Sequence, residues 1–312
     1  MNKIYSPESR DWESVLKRPT QEVAQIEGIV NQVFNEVKAN GDKVIKKYTQ
    51  QFDGVSLEDN KVTAKEIEEG ISLVSEELKK AILQAKSNIE IFHEAQRTSK
   101  VEVETSKGVL CWQEKRPIQK VGLYIPGGTA PLFSTILMLA VPATIAGCKE
   151  VVLCSPPNKE GKINPAILYT ANLCGVMQIF KVGGIQAIAG MTFGTESIPK
   201  VYKIFGPGNQ YVTVAKQIAT KYGVAIDMPA GPSELLVMAD DSANAGFVAS
   251  DLLSQAEHGV DSQVILVSTS KQLIEDVEKE VDSQIKVLPR KEIAVKAIAN
   301  SKLIFVEDEK TA

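Results

Sequence analysis

The stretch VGLYIPGG at residues 121–128 is the first of five apolar runs that end in glycine or proline and together decide the fold. The other four runs are VVLCSPP at 151–157, FKVGG at 180–184, KIFGPG at 203–208 and AIDMPAGP at 225–232. Helical segments such as NPAILYTANLCG separate them, so that a strand recurs roughly every 20–30 residues. Near-continuous apolar strands that alternate with helices predict a parallel sheet covered on both faces, which is a doubly wound α/β domain.

The turns that close these runs form a candidate binding site. Ligands of such sheets bind at the carboxyl ends of the strands, where glycine lets backbone N–H groups approach a phosphate and the next helix contributes its N-terminus. One such turn is common to every α/β protein, but five in register favour a phosphate or nucleotide site. The G-x-G-x-x-G fingerprint with a following acidic residue is missing. A nicotinamide cofactor would therefore bind here through another arrangement.

Helical periodicity dominates the region before these runs, from about residue 21 to residue 97. Gly41 stands where a left-handed helix cap belongs. Thr63 and Glu66 have capping-box spacing, and the apolar positions that follow, as far as Ile82, predict one long helix. His93, near the end of this region, is interpreted as an ordinary helix histidine.

A second α/β unit follows, with strands in SELLVMAD, SQVILVST and KLIFVED. The fold class is therefore two Rossmann-like doubly wound α/β domains with a helical N-terminal lead-in. We expect an N-terminal arm over 1–20 that crosses to a partner subunit, and a first domain made of 21–118 plus 236–312. The second domain, 119–235, carries the nucleotide-binding turns.

The composition bounds the class of protein. The chain has 312 residues, enough for about two domains. Lysine and arginine number 35 against 39 aspartates and glutamates, giving a formal net charge of -4. This balance argues against nucleic-acid and anionic-membrane partners. No signal peptide or membrane span is apparent, so a cytoplasmic location is expected.

The helix NAGFVASDLLSQAEHG at 244–259 carries the most distinctive polar set. At about 100° per residue, Asp251, Gln255 and His258 fall in one narrow wedge of the helix. Imidazole is a good zinc ligand and an amide oxygen a poor one, and a zinc centre needs three or four ligands. From the residues alone, His258 fits both a zinc ligand and a histidine favoured by the helix dipole.

Several runs are too specific to follow from helix or strand propensity. The chain closely resembles the histidinol dehydrogenases from about residue 20 to its end, through YIPGGTAPLFSTILMLAVPATIAGC, KVGGIQAIAGMTFGTESIPKV, KIFGPGN, IDMPAGPSELLV and ASDLLSQAEHGVDSQVIL. The resemblance implies an NAD-dependent homodimer with one Zn2+ per subunit. Such an enzyme oxidises L-histidinol to L-histidine through an aldehyde, in the last step of histidine biosynthesis.

The resemblance also implies roles for individual residues of this chain. The NAD contacts would be Tyr124, Gln186 and Asn209, all of which lie in the turns described above. The substrate contacts would be Ser233, Gln255 and His258, and the last two would also bind zinc.

One part of the family pattern is missing. The acid/base Glu-His pair and two further metal ligands of the family lie downstream of the strand that matches KLIFVED, and no motif of this chain matches them. We therefore expect an N-terminal portion of the enzyme that lacks dehydrogenase activity alone and binds zinc weakly.

Two other functions stay open at this stage. The chain could be a non-catalytic NAD-binding subunit that dimerises with a complete copy. It could also be an aldehyde dehydrogenase that uses a cysteine nucleophile, for which Cys111, Cys148, Cys154 and Cys174 are the candidates. None of the four has the cationic surroundings in sequence that a low-pKa thiol requires.

Overall fold

A computed structural model of the chain describes residues 1–17, 23–127, 132–229, 234–260 and 262–312. Its strands are β1 (Asn2–Tyr5), β2 (Val101–Ser106), β3 (Val109–Gln113), β4 (Lys120–Tyr124), β5 (Glu150–Ser155), β6 (Gln178–Lys181), β7 (Lys203–Phe205), β8 (Ala225–Ile226), β9 (Glu234–Ala239), β10 (Gln263–Ser268) and β11 (Lys302–Phe305). Its α-helices are α1 (Trp12–Val15), α2 (Val23–Asn40), α3 (Asp42–Asp53), α4 (Ala64–Leu73), α5 (Glu76–Ala95), α6 (Phe133–Ala146), α7 (Pro165–Leu173), α8 (Gly184–Phe193), α9 (Gln210–Thr220), α10 (Ala245–Ala256), α11 (Lys271–Gln284) and α12 (Lys291–Ala299). Single 3-10 turns lie at Ser9–Asp11 and Ile285–Val287.

The chain divides into two compact units, which we call the larger unit (Val23–Pro229) and the smaller unit (Met1–Glu22 with Ala230–Ala312). The larger unit contains a five-stranded parallel sheet in the order β6-β5-β4-β7-β8. The smaller unit contains a four-stranded parallel sheet in the order β1-β11-β10-β9. The α/β class with parallel sheets is therefore confirmed.

Both faces of the larger sheet are buried. Leu123, Leu153 and Ile179 lie side by side on one face and pack against α4, α5, α6 and α7. Their neighbours Tyr124, Cys154 and Phe180 point to the other face, which α2, α3, α8 and α9 cover. Because successive strand residues alternate between two covered faces, the strands must be apolar throughout. This is the pattern that the sequence predicts.

Within the smaller unit, one face of the sheet is covered by more residues than the other. Helices α10, α11 and α12 pack against one face and form a core with it. On the other face, Ile265, Val267 and Ile304 form a small cluster that Val15 of α1 joins. Leu236 and Met238 of the edge strand β9 are exposed.

The expected division of the chain was wrong in one respect. The helical lead-in belongs to the same compact unit as residues 119–229. The apolar stripe of α2, including Val30 and Phe34, is buried against α8 and α9 in the core of the larger unit. The expected arm 1–20 contains β1, which pairs in parallel with β11 of its own chain.

The lead-in also differs from the sequence expectation in one helix. Thr63 and Glu66 form the predicted capping box, and Gly41 has the predicted positive φ after α2. The predicted long helix, however, is interrupted after Leu73. Val74 is extended, and Ser75 starts α5 by accepting a hydrogen bond from the Leu78 N–H. The cap at Ser75 therefore starts a new helix, although the apolar stripe continues through this position.

Strands β2 and β3 form a separate antiparallel hairpin whose residues are all exposed. No helix in the described part of the chain is long and apolar enough to cross a membrane.

Replacing Phe34 by alanine should lower the free energy of unfolding by about 3–5 kcal/mol. Phe34 is fully buried and lies 5.7 Å from the ring centre of Phe193 and 6.1 Å from that of Tyr222. The control is Leu73→Ala in α4, whose side chain is 73% exposed. Urea unfolding would measure both variants, and equal stability losses would contradict the assignment of α2 to this core.

Candidate functional site

The turns after β4, β5, β6 and β7 line one cavity of about 900 Å³ in the larger unit. They meet because parallel strands present their carboxyl ends at the same edge of the sheet. The cavity wall combines turn residues with the end of α3, and its lining includes Phe52, Asp53, Tyr124, Lys162, Gly184 and Asn209. A volume of this size suits a large organic ligand.

Two glycines allow the turns to approach one another closely. A Cβ atom on Gly127 would lie 2.4 Å from Cγ of Pro156, and one on Gly183 would lie 2.5 Å from its Cβ. Any side chain at either position would therefore collide with the proline. Three consecutive β-strand turns are thus packed around a single ring.

Tyr124 is almost fully buried, and its hydroxyl group faces the first turn of α8. Its hydroxyl oxygen accepts a hydrogen bond from the Gly184 N–H at 3.1 Å. Burial raises the pKa of Tyr124 to about 12, so the phenol is neutral at physiological pH. Because its oxygen is already an acceptor, the phenol proton is the group that a ligand in the cavity can use.

Asn209 lies at the start of α9. Its side-chain oxygen caps this helix by accepting a hydrogen bond from the Val212 N–H at 3.1 Å. The structural role of Asn209 is therefore explained by capping alone. The amide nitrogen of the same side chain is a donor that the cap does not use.

The turn that carries Asn209 is held at both peptide groups that flank Gly206. The Gly206 N–H donates to Oδ2 of Asp227 at 2.8 Å, and the Gly206 carbonyl accepts from Nζ of Lys216 at 2.7 Å. Lys216 and Asp227 also form an ion pair with each other, and the lysine side chain is only 3% exposed. A Cβ atom on Gly206 would lie 2.1 Å from the Tyr124 carbonyl oxygen. The turn is therefore fixed directly beside Tyr124.

Gln186 lies behind the cavity wall, where its side chain is completely buried. Its Nε2 atom donates to Oδ2 of Asp53 at 3.4 Å, while its Oε1 atom has no hydrogen-bond partner in the described part of the chain. Asp53 does line the cavity. Of the three expected cofactor contacts, the structure thus brings Tyr124 and Asn209 to the cavity and connects Gln186 to it through Asp53.

Asp53 is the carboxylate in this wall, and it has no paired cation among the residues described. Burial raises its pKa from 3.8 to about 6. It is also the last residue of α3, where the helix dipole disfavours a negative charge. A group kept in such a position at a cost to stability is a functional-site candidate.

The expected zinc ligands lie in the smaller unit. Gln255 is in α10, and His258 follows the end of that helix, where its N–H donates to the Gln255 carbonyl at 3.2 Å. Nε2 of Gln255 is buried without a hydrogen-bond partner among the described residues. Those residues contain no group of three His, Cys, Asp or Glu side chains that could hold a metal. The two donors alone do not fit a zinc centre, which needs three or four ligands. The third expected substrate contact, Ser233, lies outside the described residues.

The cysteines do not resemble catalytic thiols. Burial raises the pKa of Cys174 to about 11, and it also raises the pKa values of Cys148 and Cys154. Cys111 lies in the exposed hairpin strand β3. The described lining of the cavity includes none of the four. These surroundings give no support to a cysteine-dependent aldehyde dehydrogenase.

Comparison with known proteins agrees with the sequence motifs. A family model described as histidinol dehydrogenase matches residues 16–312. The chain belongs to the histidinol dehydrogenase family. It is 58% identical over 308 residues to the histidinol dehydrogenase of Bacteroides thetaiotaomicron, covering 99% of this chain and 72% of that protein. It is 58% identical over 312 residues to that of Bacteroides fragilis, covering 100% of this chain and 73% of that protein.

Solved structures agree with this assignment to the histidinol dehydrogenases. The crystal structure of the histidinol dehydrogenase from Elizabethkingia anophelis matches with a TM-score of 0.94 and 54% identity, over 100% of this chain and 72% of that one. An NAD-dependent aldehyde dehydrogenase from Sinorhizobium meliloti matches with a TM-score of 0.50 and 14% identity, over 89% of this chain and 52% of that one. The second likeness shows a related fold only.

Sequence reasoning missed Asp53, Lys216 and Asp227 in this histidinol dehydrogenase chain. Asp53 stands in QQFDGV, at the end of a helix that the sequence assigned to the other domain. The one local signal was an acidic residue in the last turn of a helix, where a basic residue is favoured. Lys216 is the single charged residue of α9 and is flanked by Val212, Val214 and Ala215 on the buried side, which is a signal for a buried, paired charge.

Replacing Asp53 by asparagine should stabilise the ligand-free chain at pH 8 and change its stability little at pH 4. Burial raises the pKa of Asp53 in the folded state to about 6, above its ordinary value of 3.8, so folding favours the protonated form. The stability associated with that form is complete below pH 3.8 and is lost as the pH rises through 6. Differential scanning calorimetry at both pH values would measure the Tm of the variant and of the parent. An equal difference in Tm between variant and parent at the two pH values would contradict the raised pKa.

Proposed function

We propose that the cavity of the larger unit is the NAD site of this histidinol dehydrogenase chain. The observation that carries the proposal is that Tyr124 and Asn209, which lie far apart along the chain, line one cavity together. Each has a hydrogen-bond donor that the fold leaves unused. A dinucleotide, rich in phosphate, hydroxyl and carbonyl oxygens, offers acceptors for both donors.

Charge and helix geometry in the same wall support a phosphate-containing ligand. Lys162 lines the cavity and is exposed. Asn164 starts α7 beside it, capping that helix through the Ala166 N–H at 2.9 Å. A lysine next to the N-terminus of a helix favours an anion. The buried Oε1 atom of Gln186, which has no hydrogen-bond partner among the described residues, adds an acceptor behind the same wall.

The chemistry that NAD supplies when bound is the acceptance of a hydride. The residues of this chain would bind and orient the cofactor. Tyr124, kept neutral by burial, would donate its phenol proton, and Asn209 would donate through its amide nitrogen. The turn at Gly206, held by Lys216 and Asp227, would keep both donors in a fixed relation before binding, which lowers the entropy lost on association.

The substrate and metal parts of the reaction are proposed on the resemblance. L-histidinol would be oxidised to L-histidine in two steps, with Ser233, Gln255 and His258 as substrate contacts. Gln255 and His258 would contribute two zinc ligands, and we propose that they bind zinc weakly without further donors. A homodimer is proposed on the same basis.

Substituting Asn209 by serine should weaken NAD binding about two- to tenfold, the effect of one hydrogen bond. Serine keeps the helix cap and removes the amide donor. The matched control is Asn244→Ser, which changes an N-cap of the same kind in α10 of the smaller unit. Isothermal titration calorimetry with NAD would compare both variants with the parent. The absence of any binding by the parent chain at millimolar NAD would overturn the proposed function of the cavity.

We expect the 312-residue chain to form no NADH from L-histidinol when NAD and zinc chloride are supplied. Removal of a hydride from an alcohol requires a base that takes the hydroxyl proton, and no motif of this sequence matches the Glu-His pair of the family. Absorbance at the NADH band would measure turnover. Binding without turnover fits a non-catalytic NAD-binding chain, whereas steady NADH formation would contradict the expectation.

A further inference from the structure

We propose that Asp53 binds the vicinal hydroxyl groups of the adenosine ribose and makes the cavity select NAD over NADP. This inference rests on the proposed NAD site. It gives a role to a residue that neither the turns nor the family motifs of this chain identify. It also supplies the acidic group that the missing G-x-G-x-x-G fingerprint would otherwise provide.

The first argument is the unused hydrogen-bonding capacity of the carboxylate. Asp53 accepts one long hydrogen bond, 3.4 Å from Nε2 of Gln186. A carboxylate has about four lone-pair sites. The remaining acceptor sites face a cavity whose other described lining residues include no second acidic side chain. Two adjacent hydroxyl groups of a ribose match the two oxygens of one carboxylate.

The second argument is that the fold gains nothing from a negative charge at this position. The charge is partly buried, lacks an ion-pair partner among the residues described, and lies at the C-terminal end of α3. The left-handed cap is made by Gly54, whose N–H donates to the Gln50 carbonyl at 3.1 Å. The end of α3 is therefore explained without Asp53, and a ligand donor would supply the missing partner.

The third argument concerns which part of the dinucleotide reaches Asp53. Ile29 and Phe52 line the cavity in the same wall, and their side chains are 44% and 49% exposed. An apolar surface of this kind suits a purine ring better than a charged pyrophosphate. The ribose attached to that purine would then lie at Asp53. A phosphate on the 2′ hydroxyl, as in NADP, would bring two negative groups together.

Gln186 has a positioning role in this arrangement. Its completely buried side chain lies 3.4 Å from Oδ2 of Asp53 and so restricts the rotation of the carboxylate. The expected contact of Gln186 with the cofactor would then be indirect.

The test measures dissociation constants by calorimetry for NAD, NADP and NAD lacking the adenosine 2′ hydroxyl group. The proteins are the parent chain, Asp53→Asn, and the control Glu58→Gln, which removes an exposed carboxylate five residues away. The parent should bind NAD about tenfold or more tightly than either analogue, because a hydrogen bond to a charged group is strong. The control should behave as the parent does.

For Asp53→Asn, NAD binding should weaken about tenfold, and the preference over both analogues should shrink to less than about threefold. The variant is expected to be at least as stable as the parent at pH 8, so unfolding of the variant would not explain a loss of NAD affinity. If the parent binds NAD and Asp53→Asn keeps both the affinity and the preferences, the role of Asp53 is overturned while the NAD site stands. If the parent binds none of the three ligands, the NAD site itself is overturned, together with this inference.

Discussion

Burial of both faces of the five-stranded sheet is the constraint on which the larger unit depends. Leu123 and Leu153 face one layer of helices, and Tyr124 and Cys154 face the other. Within the sheet, a polar group can therefore reach solvent only at the ends of the strands. Parallel pairing brings the carboxyl ends to one edge, so the turns that leave the core also build the cavity.

The cavity combines groups that the fold needs with groups that it does not. Asn209 and Asn164 cap helices, and their remaining polar atoms are available at no structural cost. Asp53 is different, because burial and the end of a helix both disfavour its charge. A residue whose charge lowers the stability of the fold, in a wall where other polar groups also cap helices, is characteristic of a site selected for binding.

Sequence reasoning could predict the features that local chemistry determines. The strand runs, the turn glycines and the Thr63–Glu66 capping box follow from short-range patterns. The surface against which an amphipathic helix packs does not follow from such patterns, because an apolar stripe such as that of α2 can pack on any apolar face. Asp53 and Gln186 are 133 residues apart, so their contact required the three-dimensional fold. The break between α4 and α5 was not predicted, because the apolar stripe favours one continuous helix while Ser75 favours a new helix start.

Lys216 and Asp227, which hold the turn at Gly206, also depend on each other. Lys216 and Asp227 share an ion pair, and each also binds a backbone group of Gly206, the carbonyl for Lys216 and the N–H for Asp227. Loss of either side chain would leave the other charge partly or fully buried without its partner, which is strongly destabilising. Single substitutions at these two positions would therefore be removed by selection, and sequences that diverge here should change both residues together. A turn that contributes no catalytic group can in this way limit how quickly the strand and helix around it diverge.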